Sequence, residues 1–233
     1  MDLGLTGKRV LVTGASKGIG RACARVLAGE GCDVHLAARS HTDLAALAAE
    51  LSASSGRRVS FSALDLAQSA NIERLCTEAG PLDILVNNAG AIPAGTLAEV
   101  DEARWRAAWD LKVFGYINLT RRVYADMRGR GGVIINIIGA GGEKVSPGYI
   151  AGAGGNAALM AITRALGGVS RRDGIRVVGI NPGLIVTERL ETMQRVHAAR
   201  ELVSQDQVNH AMTFKQADTV KGASHQHDLE MRL

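Results

Sequence analysis

The chain has 233 residues, of which 46% are hydrophobic and 21% are charged, and this length and composition predict one globular domain with a substantial core. The formal net charge is +4, and the lysines and arginines are scattered along the sequence, which argues against nucleic-acid binding. No apolar run reaches the length of a membrane span and no signal peptide is recognised, so a cytoplasmic protein is expected. Cys23, Cys32 and Cys76 are an odd number without metal-ligand spacing, which argues against a disulfide framework and a metal site.

The first predicted element is a strand that leads into a glycine-rich turn. The apolar run of residues 10–13 is too short for a helix, and Gly14, Gly18 and Gly20 follow it before an amphipathic helical pattern. The free backbone N–H groups and the positive end of the helix dipole then lie together at the N-terminus of that helix, which suits a phosphate. Glycine lets a pyrophosphate approach where a Cβ would block it. The spacing Gly-x-x-x-Gly-x-Gly differs from the common fingerprint, but its place after a strand predicts a bound dinucleotide.

Short β-branched runs alternate with helical patterns along the chain, which indicates βαβ units and a parallel sheet. Most of the runs are nearly all apolar, as expected of strands that helices cover on both faces. The predicted strands are residues 10–13, 33–37, 59–63, 84–87, 133–138 and 177–181. The predicted helices are residues 19–28, 42–52, 70–77, 102–127 and 156–170. Right-handed crossovers turn this pattern into a doubly wound α/β sheet, which binds ligands at the carboxyl ends of its strands.

Arg39 stands at the end of the second predicted strand, in the segment Ala38-Arg39-Ser40. An acidic residue at this place would hold a ribose 2′-hydroxyl, whereas an arginine suits a 2′-phosphate. Lys17, inside the glycine turn, adds a positive charge that can reach the same group. The alternative is that both are surface side chains without a shared ligand. The first interpretation predicts NADP rather than NAD.

Four ordered motifs carry a resemblance to a known family. They are the glycine turn in residues 13–20, Asp65-Leu66, Asn87-Asn88-Ala89-Gly90 and the segment 181–187. With these motifs, residues 5–190 resemble the short-chain dehydrogenase/reductase family. The resemblance implies a single-domain Rossmann-like fold, a nicotinamide cofactor, a small-molecule carbonyl or alcohol substrate and assembly into homodimers or homotetramers.

The motifs also imply which residues bind the cofactor. In the family, the Asp-Leu pair lies near the adenine, the Asn-Asn-Ala-Gly segment lines the cofactor, and the segment after the sixth strand flanks the nicotinamide. Together with the glycine turn and the arginine after the second strand, the implied set is Gly14, Ser16, Lys17, Gly18, Ile19, Gly20, Arg39, Asp65, Leu66, Asn88, Ala89, Gly90, Pro182, Gly183, Ile185 and Thr187.

The reaction of the family depends on four side chains that this sequence does not have in their usual places. The resemblance implies a tyrosine acid/base four residues before a lysine, a serine that orients the carbonyl, and an asparagine on the preceding long helix. A phenol, with a pKa of about 10, works near neutral pH only when a nearby cation stabilises its anion. Here Gly152 stands at the tyrosine position, Asn156 at the lysine position, Gly139 at the serine position and Lys112 at the asparagine position.

Two hypotheses follow from this exchange of lysine and asparagine. In the first, Lys112 and Asn156 face one cavity, Tyr149 is the acid, and the chain is an NADP(H)-dependent oxidoreductase with a rearranged site. If the last helix began early, Tyr149, Gly152 and Asn156 would share one face of it. In the second, Tyr149 is a loop residue over the pocket and Lys112 reaches solvent. The chain is then a catalytically inactive NADP-binding protein that acts as a subunit partner or regulator.

The resemblance ends near Arg189, which divides the chain into two predicted parts. Residues 1–190 are the dinucleotide-binding domain, and residues 191–233 are a divergent C-terminal segment. Residues 190–203 have a helical pattern, whereas residues 218–233 have neither periodicity and are interpreted as disordered. The last strand of the family is not recognised. His225 and His227 are interpreted as solvated side chains rather than metal ligands.

Overall fold

Six parallel strands form the sheet around which the described chain is built, in a computed structural model that describes residues 3–183 and 185. The strands are β1 (Arg9–Thr13), β2 (Asp33–Ala38), β3 (Val59–Ala63), β4 (Ile84–Asn87), β5 (Gly132–Ile137) and β6 (Ile175–Ile180). Their order in the sheet is β3-β2-β1-β4-β5-β6, and every neighbouring pair is parallel. The order reverses between β1 and β4, which confirms the predicted doubly wound α/β fold.

Helices connect the strands throughout the described residues. The α-helices are α1 (Gly18–Gly29), α2 (His41–Ser55), α3 (Ala70–Ala79), α4 (Glu102–Trp109), α5 (Gly115–Met127) and α6 (Ile150–Ser170). A π-helical turn (Asp110–Phe114) joins α4 to α5, and short 3₁₀ turns (Ala140–Gly142 and Arg171–Asp173) flank α6. The connections from β4 to β5 and from β5 to β6 are therefore the ones that carry the candidate catalytic residues.

Each face of the sheet has its own apolar core, because alternate strand residues point to opposite faces. One cluster contains Val10, Val12, Val34 and Leu36 of the strands with Ala24, Leu44 and Leu47 of α1 and α2. The other contains Leu11, Leu85 and Ile134 of the strands with Leu75, Leu119 and Val123 of α3 and α5. Burial on both faces is the reason why most residues of the strands are apolar in the sequence.

Helix α6 begins at Ile150 rather than at the predicted residue 156. A run of glycines between these positions weakens the helical pattern, since glycine is a poor helix former. Packing against α4 compensates for this: Trp109 Nε1 donates to the carbonyl of Ala151 at 3.0 Å. A Cβ at Gly155 would lie 3.4 Å from the same Nε1 atom. The glycines therefore allow α4 to approach the first turns of α6 closely.

The predicted long helix over residues 102–127 is divided into three parts. Helix α4 ends at Trp109, the π-helical turn follows, and α5 begins at Gly115. Such turns are frequent at functional sites. Apolar periodicity does not reveal the turn, because the pattern on each side of it stays helical.

The predictions for the C-terminal part lie outside the described residues. They concern the domain boundary at residue 190, the helix over residues 190–203, the absent last strand and the two tail histidines. Apart from Ile185, the described residues belong to one compact unit, Met1–Leu184. Among them, no helix is both long and apolar enough to span a bilayer. All three cysteines are free, and they are buried or half-buried as small apolar side chains are.

A buried histidine links β2 to β3. His35 is 2% exposed, with Nδ1 2.8 Å from Ser60 Oγ and Nε2 2.8 Å from Ser62 Oγ. The Ser62 hydroxyl donates to the carboxylate of Glu78 on α3. Nε2 must therefore carry the ring proton and donate to Ser62, while Nδ1 accepts from Ser60. Burial, and next the positive charge of Arg9 on β1, lower the pKa of His35 to about 4, although Glu78 opposes the shift.

We expect the free energy of unfolding to fall by about 2 kcal/mol through His35 when the pH decreases from about 7.5 to about 5. In this window the unfolded chain, with a histidine pKa of about 6.5, binds a proton that the folded chain does not bind. The contribution is complete above that pKa and is lost as the pH falls towards the folded pKa. Urea unfolding at a series of pH values measures it. His35→Gln is the comparison, and equal pH slopes in both proteins would contradict the assignment.

Candidate functional site

The glycine turn after β1 lies at the carboxyl edge of the sheet, next to the loop after β4. Gly14 and Gly18 have φ angles of +65° and +53°, in the left-handed region that favours glycine. A Cβ at Gly20 would lie 2.4 Å from both the Gly14 carbonyl oxygen and Asn88 Nδ2, so a side chain does not fit there. The turn thereby brings the N-terminus of α1 to the point where the strand order reverses.

The N-terminus of α1 presents uncapped backbone N–H groups. Its N-cap is Lys17, whose side chain has no oxygen that could accept from the first turn. No acidic residue lies in the first turn of α1, and Ser16 and Ile19 on either side of the cap are half-buried. Uncapped N–H groups and the positive end of the helix dipole suit a phosphate.

The loop after β4 holds the glycine turn in place. Asn88 Nδ2 donates to the carbonyl oxygens of Thr13 and Gly14 at 2.9 and 3.2 Å. The backbone N–H groups of Asn88 and Ala89 donate to Thr13 Oγ1 at 2.9 and 3.1 Å. The Asn88 side chain therefore positions the turn, in addition to any contact with a ligand.

Two exposed cations stand at the carboxyl ends of neighbouring strands. Lys17 lies in the turn after β1, Arg39 follows β2, and these strands pair in parallel. Ser40, directly after Arg39, caps α2 because its Oγ accepts from the N–H of Asp43 at 3.3 Å. Arg39 is therefore held at a defined corner between β2 and α2.

The Asp65-Leu66 motif follows β3. The Asp65 carboxylate accepts from the backbone N–H of Ala67 at 3.0 Å, which closes a tight turn. Leu66 is only 5% exposed and belongs to the core cluster on the α3 and α5 side of the sheet. The motif thus lies at the carboxyl end of β3, beside β2, with Asp65 half-buried and Leu66 in the core.

The segment after β6 meets the loop after β5. The carbonyl of Pro182 accepts from the backbone N–H of Ala140 at 2.9 Å. Gly183 and Ile185 are exposed, and Thr187 lies outside the described residues. Pro182 and Gly183 therefore extend the carboxyl edge beyond β5.

Lys112 lies in the π-helical turn and is only 7% exposed. Its Nζ atom donates to the carbonyl of Ile138, directly after β5, at 2.6 Å. A Cβ at Gly90 would lie 2.9 Å from Lys112 Cδ, so this glycine gives room to the stem of the lysine. The Tyr116 hydroxyl donates to the carbonyl of Ile137 at 2.9 Å, which holds the same stretch of helix against β5. Lys112 therefore points into the protein rather than into solvent.

Tyr149 is the N-cap residue of α6, and its ring lies over the first turn of that helix. A Cβ at Gly152 would lie 2.0 Å from Tyr149 Cζ and 2.1 Å from Cε1. The ring therefore fills the space that a side chain at position 152 would need. The ring also packs against the apolar cluster that contains Ile92 and Ala151.

Asn156 lies further along α6 and is 2% exposed. A Cβ at Gly139 would lie 3.1 Å from Asn156 Nδ2, and a Cβ at Gly141 would lie 3.5 Å from that atom and 3.3 Å from the Tyr149 ring. The loop after β5 is thus bordered by the Asn156 carboxamide and the Tyr149 ring, and its first carbonyl binds Lys112 Nζ. The structure brings the three predicted catalytic residues to one loop.

A buried polar network under this loop escaped the sequence-based prediction. Asn87 Nδ2 donates to Thr120 Oγ1 at 3.0 Å and to Asn136 Oδ1 at 2.9 Å. Asn136 Nδ2 donates to Thr163 Oγ1 at 2.9 Å. The chain of bonds joins α5, β4, β5 and α6, and so sets the helices that carry the site relative to the sheet. Asparagines in otherwise apolar predicted strands are the signal that could have revealed it.

We expect Gly152→Ala to destabilise the chain by about 1–3 kcal/mol, because the added methyl group overlaps the Tyr149 ring. Gly154→Ala is the matched control on the same helix. Its Cβ would meet no atom nearer than 3.4 Å, and alanine favours the helix, so stability should not fall. Urea unfolding measures both. In a Tyr149→Ala background Gly152→Ala should cost nothing, and an undiminished loss there would contradict this packing.

Known proteins are similar to this chain in both sequence and fold. The profile of the family described as short chain dehydrogenase matches residues 8–197. A 3-oxoacyl-acyl-carrier-protein reductase FabG of Chlamydia muridarum is 31% identical over 189 residues, which cover 79% of this chain and 76% of that protein. The structure of L-sorbose reductase from Gluconobacter frateurii, in complex with NADPH and L-sorbose, is 35% identical with a TM-score of 0.78, covering 81% of this chain and 74% of that chain. A short-chain dehydrogenase from Burkholderia cenocepacia, in complex with NADP, is 33% identical with a TM-score of 0.73, covering 79% and 77%.

The chain belongs to the short-chain dehydrogenase/reductase family of oxidoreductases. This confirms the resemblance that the four motifs indicate, and the Rossmann-like parallel sheet is the fold of the family's solved structures. The roles of the individual cofactor-binding residues and of Lys112, Tyr149 and Asn156 stay predictions. The homo-oligomer and the cytoplasmic location stay predictions as well.

Proposed function

We propose that this chain is an NADP(H)-dependent oxidoreductase that interconverts a small carbonyl compound and its alcohol at a rearranged active site. The observation that carries the proposal is the position of the Tyr149 ring over Gly152. The resemblance expects the acid of the family at position 152. A tyrosine at the N-cap of the same helix supplies a phenol to the space that the glycine leaves open.

The carboxyl edge between β2, β1 and β4 fits a phosphorylated dinucleotide. The uncapped N-terminus of α1 suits the pyrophosphate, and the glycines of the turn allow it to approach the backbone. Lys17 and Arg39 supply two positive charges for a 2′-phosphate. The solved relatives in complex with NADPH and NADP support the same choice. When bound, NADPH supplies the hydride that reduces the carbonyl carbon.

In this proposal, Tyr149 gives a proton to the substrate oxygen. As the carbonyl carbon is reduced, negative charge grows on its oxygen, which takes the proton of the Tyr149 hydroxyl. The phenolate that remains lies over the first turn of α6, the positive end of that helix dipole. The buried ammonium of Lys112, bound to the carbonyl of Ile138, adds a second positive charge at the same loop.

A second function, NADP binding without catalysis, is favoured by the glycines at positions 139 and 152. Neither supplies the hydroxyl that the resemblance expects there. A subunit partner or regulator would keep the cofactor-binding edge and show no turnover. The two functions agree on NADPH affinity and differ in hydride transfer, so a turnover experiment separates them.

We expect Arg39→Ala to weaken NADPH binding by about tenfold, since a charged hydrogen bond to the 2′-phosphate is lost. NADH affinity should stay unchanged, because NADH has no such phosphate. Fluorescence titration with both nucleotides measures the effect. Arg172→Ala removes the same charge from the 3₁₀ turn before β6, at the opposite edge of the sheet, and should change neither affinity. An equal loss for NADPH and NADH would contradict the role of Arg39.

We expect Lys112→Met and Tyr149→Phe each to lower kcat by about 100-fold or more, with NADPH affinity nearly unchanged. Lys112→Met removes the charge that stabilises the phenolate, and Tyr149→Phe removes the acid. NADPH oxidation over a panel of ketones and aldehydes measures turnover, and fluorescence titration measures affinity.

Two matched variants control for charge and for loss of a hydroxyl elsewhere. Lys144→Met changes an exposed lysine of the loop before α6, and Tyr124→Phe changes a tyrosine whose hydroxyl donates to Asp173. Both should turn over at the rate of the unmodified chain. Normal turnover of Lys112→Met would end the role of that lysine. NADPH binding without turnover of any compound by the unmodified chain would favour the second function.

A further inference from the structure

We infer that the carboxamide of Asn156 binds the carbonyl oxygen of the substrate and stabilises the negative charge that grows there during reduction. The inference rests on the proposed function and gives Asn156 a specific role within it. It concerns a position where the resemblance expects a lysine, which would serve the acid instead of the substrate.

The carboxamide occupies space that a side chain at position 139 would otherwise take. A Cβ at Gly139 would lie 3.1 Å from Asn156 Nδ2 and 3.7 Å from its Cγ. Position 139 is where the resemblance expects the serine that orients the carbonyl. An N–H donor therefore stands beside the place from which a hydroxyl donor is missing.

The backbone at position 139 is adapted to this exchange. Gly139 has a φ of +132° and a ψ of +137°, a conformation that side chains with a Cβ rarely adopt. A serine at this position would be strained as well as in contact with Asn156. The loop after β5 is therefore built for glycine here, and the orienting group has to come from another element.

The Asn156 carboxamide is buried, and one of its two polar atoms has no hydrogen-bond partner among the described residues. The side chain is 2% exposed, and its Oδ1 atom has no hydrogen-bond partner in the described part of the chain. A buried polar atom without a partner costs about 1–3 kcal/mol, so such atoms in a folded protein call for an explanation. A substrate hydroxyl would satisfy Oδ1 in the alcohol complex, and a substrate carbonyl would accept from Nδ2 in the ketone complex.

Close backbone packing holds the carboxamide in place. A Cβ at Gly142 would lie 2.9 Å from Asn156 Cβ and 2.8 Å from the backbone nitrogen of Ala157, so the 3₁₀ turn lies directly on α6 at this residue. A Cβ at Gly141 would lie 3.5 Å from Nδ2 and 3.3 Å from the Tyr149 ring. The carboxamide and the Tyr149 ring thus border the same residue of the loop.

The test compares Asn156→Leu with the unmodified chain, using NADPH and the panel of ketones and aldehydes. Leucine has the branched shape and the same number of side-chain heavy atoms as asparagine but no donor, so kcat should fall by about 100-fold. NADPH affinity and the thermal midpoint should stay close to those of the unmodified chain. Asn118→Leu, a half-buried asparagine of α5, is the matched control and should keep full turnover.

Asn156→Asp supplies a readout that a structural role would not change. Burial raises the pKa of an aspartate at this position, although the Lys112 ammonium at the same loop opposes the shift, and only the protonated form can donate. Its kcat should therefore rise as the pH falls from about 8 to about 6, relative to the unmodified chain, while NADPH affinity follows that of the unmodified chain.

The outcomes separate this inference from the proposed function. Turnover of Asn156→Leu at the unmodified rate, or a loss of kcat matched by losses of NADPH affinity and thermal stability, would overturn the role of Asn156 and leave the reductase in place. A flat pH profile of Asn156→Asp would overturn it too. Absence of turnover by the unmodified chain on every compound would overturn both.

Discussion

The contact between the glycine turn after β1 and the loop after β4 determines the geometry of the whole carboxyl edge. Gly20 has no room for a Cβ because the carbonyl of Gly14 and the amide of Asn88 are already there. Asn88 then donates two hydrogen bonds to Thr13, from its backbone N–H and from Nδ2, across the point where the strand order reverses. A side chain at Gly20 would push α1 away from the edge, and with it the uncapped N–H groups that suit a phosphate. The predicted cofactor site thus depends on backbone packing before it depends on any charged side chain.

The same relation between glycine and a neighbouring side chain recurs in the candidate catalytic half. Gly152 leaves space for the Tyr149 ring, Gly139 for the Asn156 carboxamide, and Gly90 for the stem of Lys112. In each case the functional group belongs to one residue and the space to another. An active site can therefore keep its arrangement of groups in space while the positions that supply them change.

Most of the fold could be predicted from the sequence because local patterns determine it. Two-sided burial makes β1 and β4 apolar, and their predicted bounds agree closely with the structure. The predicted strand over residues 177–181 starts two residues later than β6, which begins at Ile175. Arg176 interrupts the apolar run in the sequence, but in the structure it points to the exposed side of the strand. Helix α6 begins before the predicted residue 156 for a different reason. Its glycine-rich first turns have a weak helical pattern, and the contact with Trp109 stabilises them.

The candidate site likewise has one part that local sequence patterns predict and one part that depends on packing. The glycine turn and Arg39 follow from spacing and from their place after a strand, so the sequence indicates a phosphorylated dinucleotide directly. The position of Tyr149 over Gly152 depends on where α6 begins, and the inward direction of Lys112 depends on the π-helical turn. Both depend on contacts between elements that are distant in the sequence: the first turn of α6 packs against Trp109, and the carbonyl of Ile138 holds Lys112 inward.

Deuterium transfer tests the central claim most directly. The unmodified chain would be given NADPH deuterated at the transferable position of the nicotinamide, together with the carbonyl panel, and the products analysed by mass spectrometry. The account predicts an alcohol with one deuterium at the former carbonyl carbon. Bound NADPH that transfers no deuterium to any compound would contradict it and identify the chain as a protein that only binds the nucleotide.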